Sequence, residues 1–260
     1  MSGATLVAID GRIATITMNR PEVRNALTGT GVLEGLLTAL DTVKDDPDLS
    51  VLVLTGAGSA FSAGGNLKDM RASEDIFEGS ARQIAESYRT SILRLMRTVA
   101  SLDLVTIASI NGPAIGGGCD LALLCDLRLA SSSATFGQPV VDLGLVPGDG
   151  GAWILPRIVG WQRAAELIFT GRIVEAREAF GMGIVLEVVE PDHLTDRTHV
   201  LASTIAEKPP NALRLTKRLL RHARSADFEA FLDMTAAFQA ISHHTDEHRR
   251  AITSRSESPS

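Results

Sequence analysis

Two short stretches of the chain, Ala63-Gly64-Gly65 and Gly116-Gly117-Gly118, combine small residues with main-chain donors that can be left free. The first is reached from the apolar run Val51-Leu52-Val53-Leu54 through Ala60-Phe61-Ser62, so a buried strand runs into a loop of small residues. Such a loop lets a ligand approach the backbone, and its N–H groups can donate to a carbonyl oxygen. The second follows Ile107-Ala108-Ser109-Ile110-Asn111-Gly112-Pro113-Ala114-Ile115 and precedes a short helical segment. Its N–H groups point where a helix dipole is positive, which favours a developing negative charge. Two such donors make an oxyanion hole, and losing one typically costs ~10²–10³ in rate. Each turn alone also has a plainer reading, a tight strand-to-helix connection for the first and close backbone packing for the second.

The elements that must carry these turns alternate between strand and helix. Residues 6–10 and 13–19 read as a hairpin joined by Asp10-Gly11. Residues 28–43 have helical spacing in Val32, Leu33, Leu36, Leu37 and Leu40, and Asp45-Asp46-Pro47 stops that helix before a strand at 50–55. A long helix at 80–101, a strand at 104–110, a short helix at 120–125 and a strand at 126–131 continue the rhythm. The pattern predicts α/β layers with function at the strand ends. Beyond residue 191 only helices are expected, at 192–207, 212–222 and 228–241. They either pack back on the core or build an oligomer interface.

Composition narrows the function classes. With 260 residues and 45% apolar content the chain can bury one large core. Its net charge of −6 disfavours a nucleic-acid partner, because phosphate-backbone affinity needs clustered Lys and Arg. No apolar run approaches membrane-spanning length and no basic-then-apolar leader pattern opens the chain, so a cytoplasmic location is expected. Cys119 and Cys125 fit buried reduced thiols better than a disulfide or a zinc site. All six histidines lie in the C-terminal part and read as surface or interface residues. Neither a G-x-S-x-G elbow nor a G-x-x-x-x-G-K-[ST] loop occurs.

The order of the two glycine turns, followed by Phe136-Gly137-Gln138-Pro139 and Gly144-Leu145-Val146-Pro147-Gly148-Asp149-Gly150-Gly151, resembles the crotonase (enoyl-CoA hydratase/isomerase) family. The resemblance extends to Asn19-Arg20-Pro21, Arg24-Asn25-Ala26-Leu27, Leu167-Ile168-Phe169-Thr170-Gly171 and Ala176-Arg177-Glu178-Ala179. It implies an α/β fold with a ββα spiral core at residues 1–191 and a helical oligomerisation region at 192–252 that makes trimers or hexamers, while the polar residues 253–260 read as a disordered tail. It also implies an acyl-CoA thioester substrate, with coenzyme A carried by the substrate and neither a separate cofactor nor a metal. On the family pattern the oxyanion donors are the N–H groups of Gly65 and Gly117. Ser62, Ala63 and Leu67 line the adenine end of the coenzyme, while Arg24 and Lys68 either meet its phosphates or remain solvated.

The family's hydratases use two glutamates, at positions held here by Asp120 and Val140. Asp120 is one methylene shorter, and Val140 cannot move a proton and remains as a wall of the substrate pocket. Asp149 sits in the glycine-rich loop that isomerases of the family use for an acidic residue, one position later than theirs. Asp120 and Asp149 also have structural readings, as a first-turn carboxylate and as a turn or cap residue, and Asp142 is read as structural. Trp153 and Trp161 are read as core residues that could also border an acyl pocket. The expected activity is hydration or double-bond isomerisation of an enoyl-CoA, with Asp120, helped or replaced by Asp149, moving the proton. Isomerisation needs only one base, so Val140 raises its share. The alternatives are a decarboxylase or thioester hydrolase on the same fold, or a weakly catalytic coenzyme-A-binding or assembly subunit.

Overall fold

The structure is a computed structural model in which residues 3–256 are described. Strands β1 (Thr5–Asp10) and β2 (Ile13–Met18) form the expected hairpin, with Asp10 opposite Ile13 and Gly11 in the left-handed region at the turn. The first helix, α1 (Val32–Val43), begins four residues later than its apolar spacing suggested. Gly29 and Gly31 adopt positive φ and hold the preceding segment in a loop. Strand β3 (Val51–Gly56) then pairs in parallel with β2.

After β3 come α2 (Leu67–Ala72), α3 (Ala81–Thr90) and α4 (Ile92–Ser101). The single helix expected at 80–101 is broken at Ser91, whose backbone leaves the helical region at φ −113°, ψ −97°. The reason lies in the two faces. Helix α4 buries Ile92, Leu95, Met96 and Val99 in the main core, whereas α3 buries no residue fully and offers Ile84 and Tyr88 to a cavity. One straight helix cannot serve both.

The chain continues through β4 (Val105–Ile110), β5 (Ala114–Ile115), α5 (Gly117–Leu124), β6 (Leu127–Ser131) and β7 (Thr135–Gly137). Next are α6 (Gly151–Val159), α7 (Trp161–Thr170), β8 (Val174–Glu175), α8 (Ala176–Gly181) and β9 (Glu187–Val189). A six-stranded sheet runs β1-β2-β3-β4-β6-β9, parallel from β2 onward, and a three-stranded sheet runs β5-β7-β8. Both faces of the large sheet are covered, which explains the unbroken apolar run of β3.

Four helices close the chain: α9 (Leu194–Ala206), α10 (Pro210–His222), α11 (Phe228–His243) and α12 (Asp246–Ser256). The first of these helices packs on the large sheet. Leu194, Ala202 and Ala206 of α9 complete the second face of the sheet with Ile13, Val51, Val53, Ile107 and Leu129, so α9 belongs to the core. Helix α10 grips the strand starts through Lys217, whose ammonium meets Asp126 at 2.7 Å and the Leu104 carbonyl at 2.6 Å. Helix α11 buries no residue in this chain and leaves Phe228, Leu232 and Ile241 exposed. Of the tail expected to be disordered, residues 253–256 are the end of α12, and residues 257–260 lie outside the described residues.

Candidate active site

The two glycine turns meet at the C-terminal ends of the central strands. The loop after β3 is held from below by Asn25, fully buried with φ 53°, whose Nδ2 donates to the carbonyls of Ala57 and Ala60 at 2.9 Å each. The backbone N–H groups of Phe61 and Ser62 donate to the Pro113 carbonyl, and Ile115 donates to that of Ser62 at 3.0 Å. These bonds tie the loop after β3 to the loop after β4. Gly64 sits at their junction with φ 76°, and a Cβ there would lie 2.5 Å from the Ile115 oxygen and 2.9 Å from the Gly117 nitrogen. Glycine is therefore required twice over at position 64, by conformation and by space.

The short helix expected to begin near residue 120 begins at Gly117, so the glycine run is its first turn. The N–H groups of Gly65 and Gly117 have no hydrogen-bond partner among the described residues, and both residues line one cavity of about 610 Å³. That size lies within the ~300–1,000 Å³ of small-molecule sites. Most of the lining is apolar, including Leu27, Met70, Ile76, Phe77, Ile84 and Leu145. The polar side chains on its surface include Asp120, Gln138, Asp149 and Tyr88.

Asp120 and Asp149 differ in freedom. Asp120 is 1% exposed, and its Oδ2 accepts the Gly151 N–H at 2.9 Å at the start of α6. Its Oδ1 accepts from Gln138 Nε2, which also donates to the Gly116 carbonyl at 3.2 Å. Gln138 is itself buried, and its Oε1 has no partner. Burial and then the nearby Asp149 charge push Asp120 up to about 8, against the smaller opposing effects of its hydrogen bonds. Asp149 makes no hydrogen bond to a described residue and stands against the second glycine turn, its Oδ2 2.5 Å from where a Gly117 Cβ would lie. Burial pushes it up to about 6. Near neutral pH the pair therefore holds about one proton between them.

The remaining expected site residues divide clearly. Ala63, Leu67 and Val140 line the cavity with Gly65, Gly117, Asp120 and Asp149. Ser62 does not line the cavity: it is fully buried, its Oγ donating to the Asn25 carbonyl and accepting from Gly64, so it fixes the loop. Arg24 and Lys68 are exposed beside the site and do not line the cavity. Asp142 reaches the cavity edge, but its Oδ2 lies 2.8 Å from the Cβ position of Gly171, at the end of α7. Trp153 and Trp161 are neither core nor cavity residues: Trp161 is 78% exposed, and Trp153 carries the Arg157 guanidinium 4.0 Å above its ring. Gln138, Asn25 and Tyr88 were missed as site residues. The first two lay inside quoted motifs, but nothing in their spacing disclosed which groups they hold.

Comparison with known proteins identifies the family. The enoyl-CoA hydratase/isomerase family model matches residues 8–258. The chain is 34% identical to the short-chain-enoyl-CoA hydratase of Clostridium acetobutylicum over 94% of its length and 91% of the relative's. Identity to the crotonyl-CoA hydratase of Syntrophomonas wolfei is also 34%, covering 93% and 90% of the two chains. The solved enoyl-CoA hydratase of Bacillus anthracis superposes with a TM-score of 0.90 at 33% identity, covering 97% of this chain and 96% of that one. The family model, these relatives and the shared fold show that the chain belongs to the enoyl-CoA hydratase/isomerase family of the crotonase superfamily.

Proposed function

We propose that this protein binds an enoyl-CoA thioester with its carbonyl oxygen between the N–H groups of Gly65 and Gly117, and that Asp149 moves the proton. The observation that carries this reading is the Asp149 carboxylate standing against Gly117 with no hydrogen-bond partner among the described residues. An enolate oxygen held by Gly117 puts the reacting carbons beside that carboxylate. Two preorganised donors in a mostly apolar cavity stabilise the enolate more than they would in water. Asp120, engaged through both oxygens, is a positioning residue: it holds Gly151 and Gln138, and burial and the Asp149 charge oppose its ionisation.

Hydration is the leading reaction. It needs a base for the water and an acid for the α-carbon, and one carboxylate can fill both roles in succession. Isomerisation is favoured by one specific feature, Val140, which turns an apolar side chain toward the cavity where the family's hydratases carry a glutamate. The apolar lining fits an uncharged acyl group. Coenzyme A enters as part of the substrate, and the exposed Arg24 and Lys68 are assigned to its phosphates.

Among the described residues no helix is long and apolar enough to cross a membrane. A cytoplasmic homotrimer or hexamer completes the proposal. The apolar side chains that α11 leaves uncovered support the oligomer. The enzyme is tested by titrating a saturated acyl-CoA alongside turnover assays on 2-enoyl-CoA and 3-enoyl-CoA. Binding with turnover of at least one enoyl substrate is expected. Tight binding with no turnover of either would move the protein to the binding-subunit alternative.

A further inference from the structure

The loss of the glutamate at position 140 leaves open what holds the oxygen added to the substrate. The cavity contains one polar side chain on its helical wall suited to that task. Tyr88 is the chain's only tyrosine, and it projects from α3 into the cavity. Its ring packs edge-on against Phe77, with centroids 6.2 Å apart. Its Cε1, next to the carbon bearing the hydroxyl, lies 3.6 Å from the Cβ position of Gly148. The hydroxyl end of the ring is therefore beside the Gly148-Asp149 peptide.

The contacts around this wall form a circuit. The Met70 methyl group stands against Gly65, Phe77 approaches the same glycine, Tyr88 packs on Phe77 and reaches Gly148, and Asp149 returns to Gly117. Within it the Tyr88 hydroxyl and the Asp149 carboxylate both lack a hydrogen-bond partner among the described residues, although both are partly buried. Two such groups on opposing elements leave polar capacity between them, and a small oxygen species satisfies both. Burial and the Asp149 charge both raise the Tyr88 hydroxyl above its ordinary value, so it remains protonated and able to donate.

We infer that Tyr88 and Asp149 together hold the oxygen that is added to, or removed from, the β-carbon of the acyl group, and that Tyr88 is a catalytic residue for hydration. This rests on the enoyl-CoA reading above. Tyr88 donates to one lone pair of the water, leaving another directed at the β-carbon, while Asp149 accepts one of the water's protons. The water oxygen bonds to the β-carbon as the double-bond pair moves through the α-carbon to the thioester oxygen held by Gly65 and Gly117. The enolate then takes the proton from Asp149 at the α-carbon. One water is added across the double bond and the carboxylate is regenerated. In reverse, the same hydroxyl donates to the departing oxygen.

Double-bond isomerisation and α-proton exchange use Asp149 but no water at the β-carbon, so they separate this role from a structural one. Tyr88→Phe keeps the ring against Phe77 and removes only the hydroxyl. Crotonyl-CoA hydration is expected to fall ~10- to 100-fold relative to α-proton exchange of butyryl-CoA in D₂O, the loss of one strong hydrogen bond. Equal losses in both, or none in either, overturn the inference.

A second measurement does not depend on the variant folding. The wild-type protein should bind 3-hydroxybutyryl-CoA at least tenfold more tightly than butyryl-CoA, and equal affinities would contradict the assignment. A wild-type protein that exchanges α-protons but never hydrates defeats the Tyr88 role and leaves the enolate site standing. One that binds butyryl-CoA without exchange or turnover defeats both.

Discussion

The floor of the cavity and its walls handle charge in different ways. On the floor, Gly65 and Gly117 offer main-chain N–H groups whose places follow from paired loops: the Pro113 carbonyl takes two donors, and Gly64 has no room for a side chain. On the walls, Asp120, Asp149 and Tyr88 are brought together from three separate elements, and each is tuned by burial or by a neighbouring charge. On the proposed reading the floor stabilises the enolate and the walls direct what becomes of it, so changes to the two should fail in different ways.

The largest effect is expected where floor and wall touch. In Gly117→Ala the new methyl group would lie 2.5 Å from Asp149 Oδ2 and crowd the first turn of α5. Steady-state kinetics should show kcat falling ~10²–10³-fold, comparable with the loss of an oxyanion donor. A wild-type kcat would remove Gly117 from the site. Asp120→Asn tests the wall alone, since the asparagine turns a donor toward Gly151 or Gln138 where an acceptor is needed. A displacement of ~1 Å can cost ~10²-fold, so kcat should fall by up to that amount while acyl-CoA affinity changes less. A larger loss than that of the corresponding Asp149 variant would exchange the roles given to the two carboxylates.

Two smaller effects depend on pH. The proposed mechanism needs Asp149 ionised and Asp120 protonated, so kcat/KM should follow a bell with limbs near about 6 and about 8. A flat profile from pH 5 to 9 would contradict the paired assignment. The linked stability effect has a definite sign. Both carboxyls are raised from 3.8 in the folded chain, so between those values the folded state binds more protons than the unfolded state. Their contribution to stability therefore falls as pH rises from about 4 to 8. Asp120→Asn removes one titrating group, so its Tm relative to wild type should improve by on the order of 10 °C between pH 5 and pH 8, from about 1.4 kcal/mol per pH unit and the ~2–4 °C per kcal/mol usual for this chain length.

The floor was legible in the sequence because its constraint is local. Glycine at 64 and 117 follows from positive φ or close approach, and the strand before each turn carries its own apolar pattern. The walls were harder because their contacts are long-range. Gly151 meets Asp120 across 31 positions, and no spacing rule discloses that bond. Tyr88 lay in a segment that reads as one amphipathic helix. Only the break at Ser91 turns α3 toward the cavity. Trp153 and Trp161 were read from size, which favours burial, yet α6 and α7 bury Ile154, Leu155, Leu167 and Ile168 and present both indoles outward. Helix α9 followed the change from mixed to purely helical pattern, a change that does not record which face of the sheet remains uncovered.

The most direct test follows the proton. Butyryl-CoA incubated with the protein in D₂O has no double bond to hydrate, so deuterium appearing at its α-carbon, read by NMR, reports only thioester activation and the base. Exchange is expected in the wild-type protein, with a fall of ~10²–10⁴-fold in Asp149→Asn and butyryl-CoA still bound. Exchange in Asp149→Asn at the wild-type rate would contradict the role of Asp149 and return the proton to Asp120.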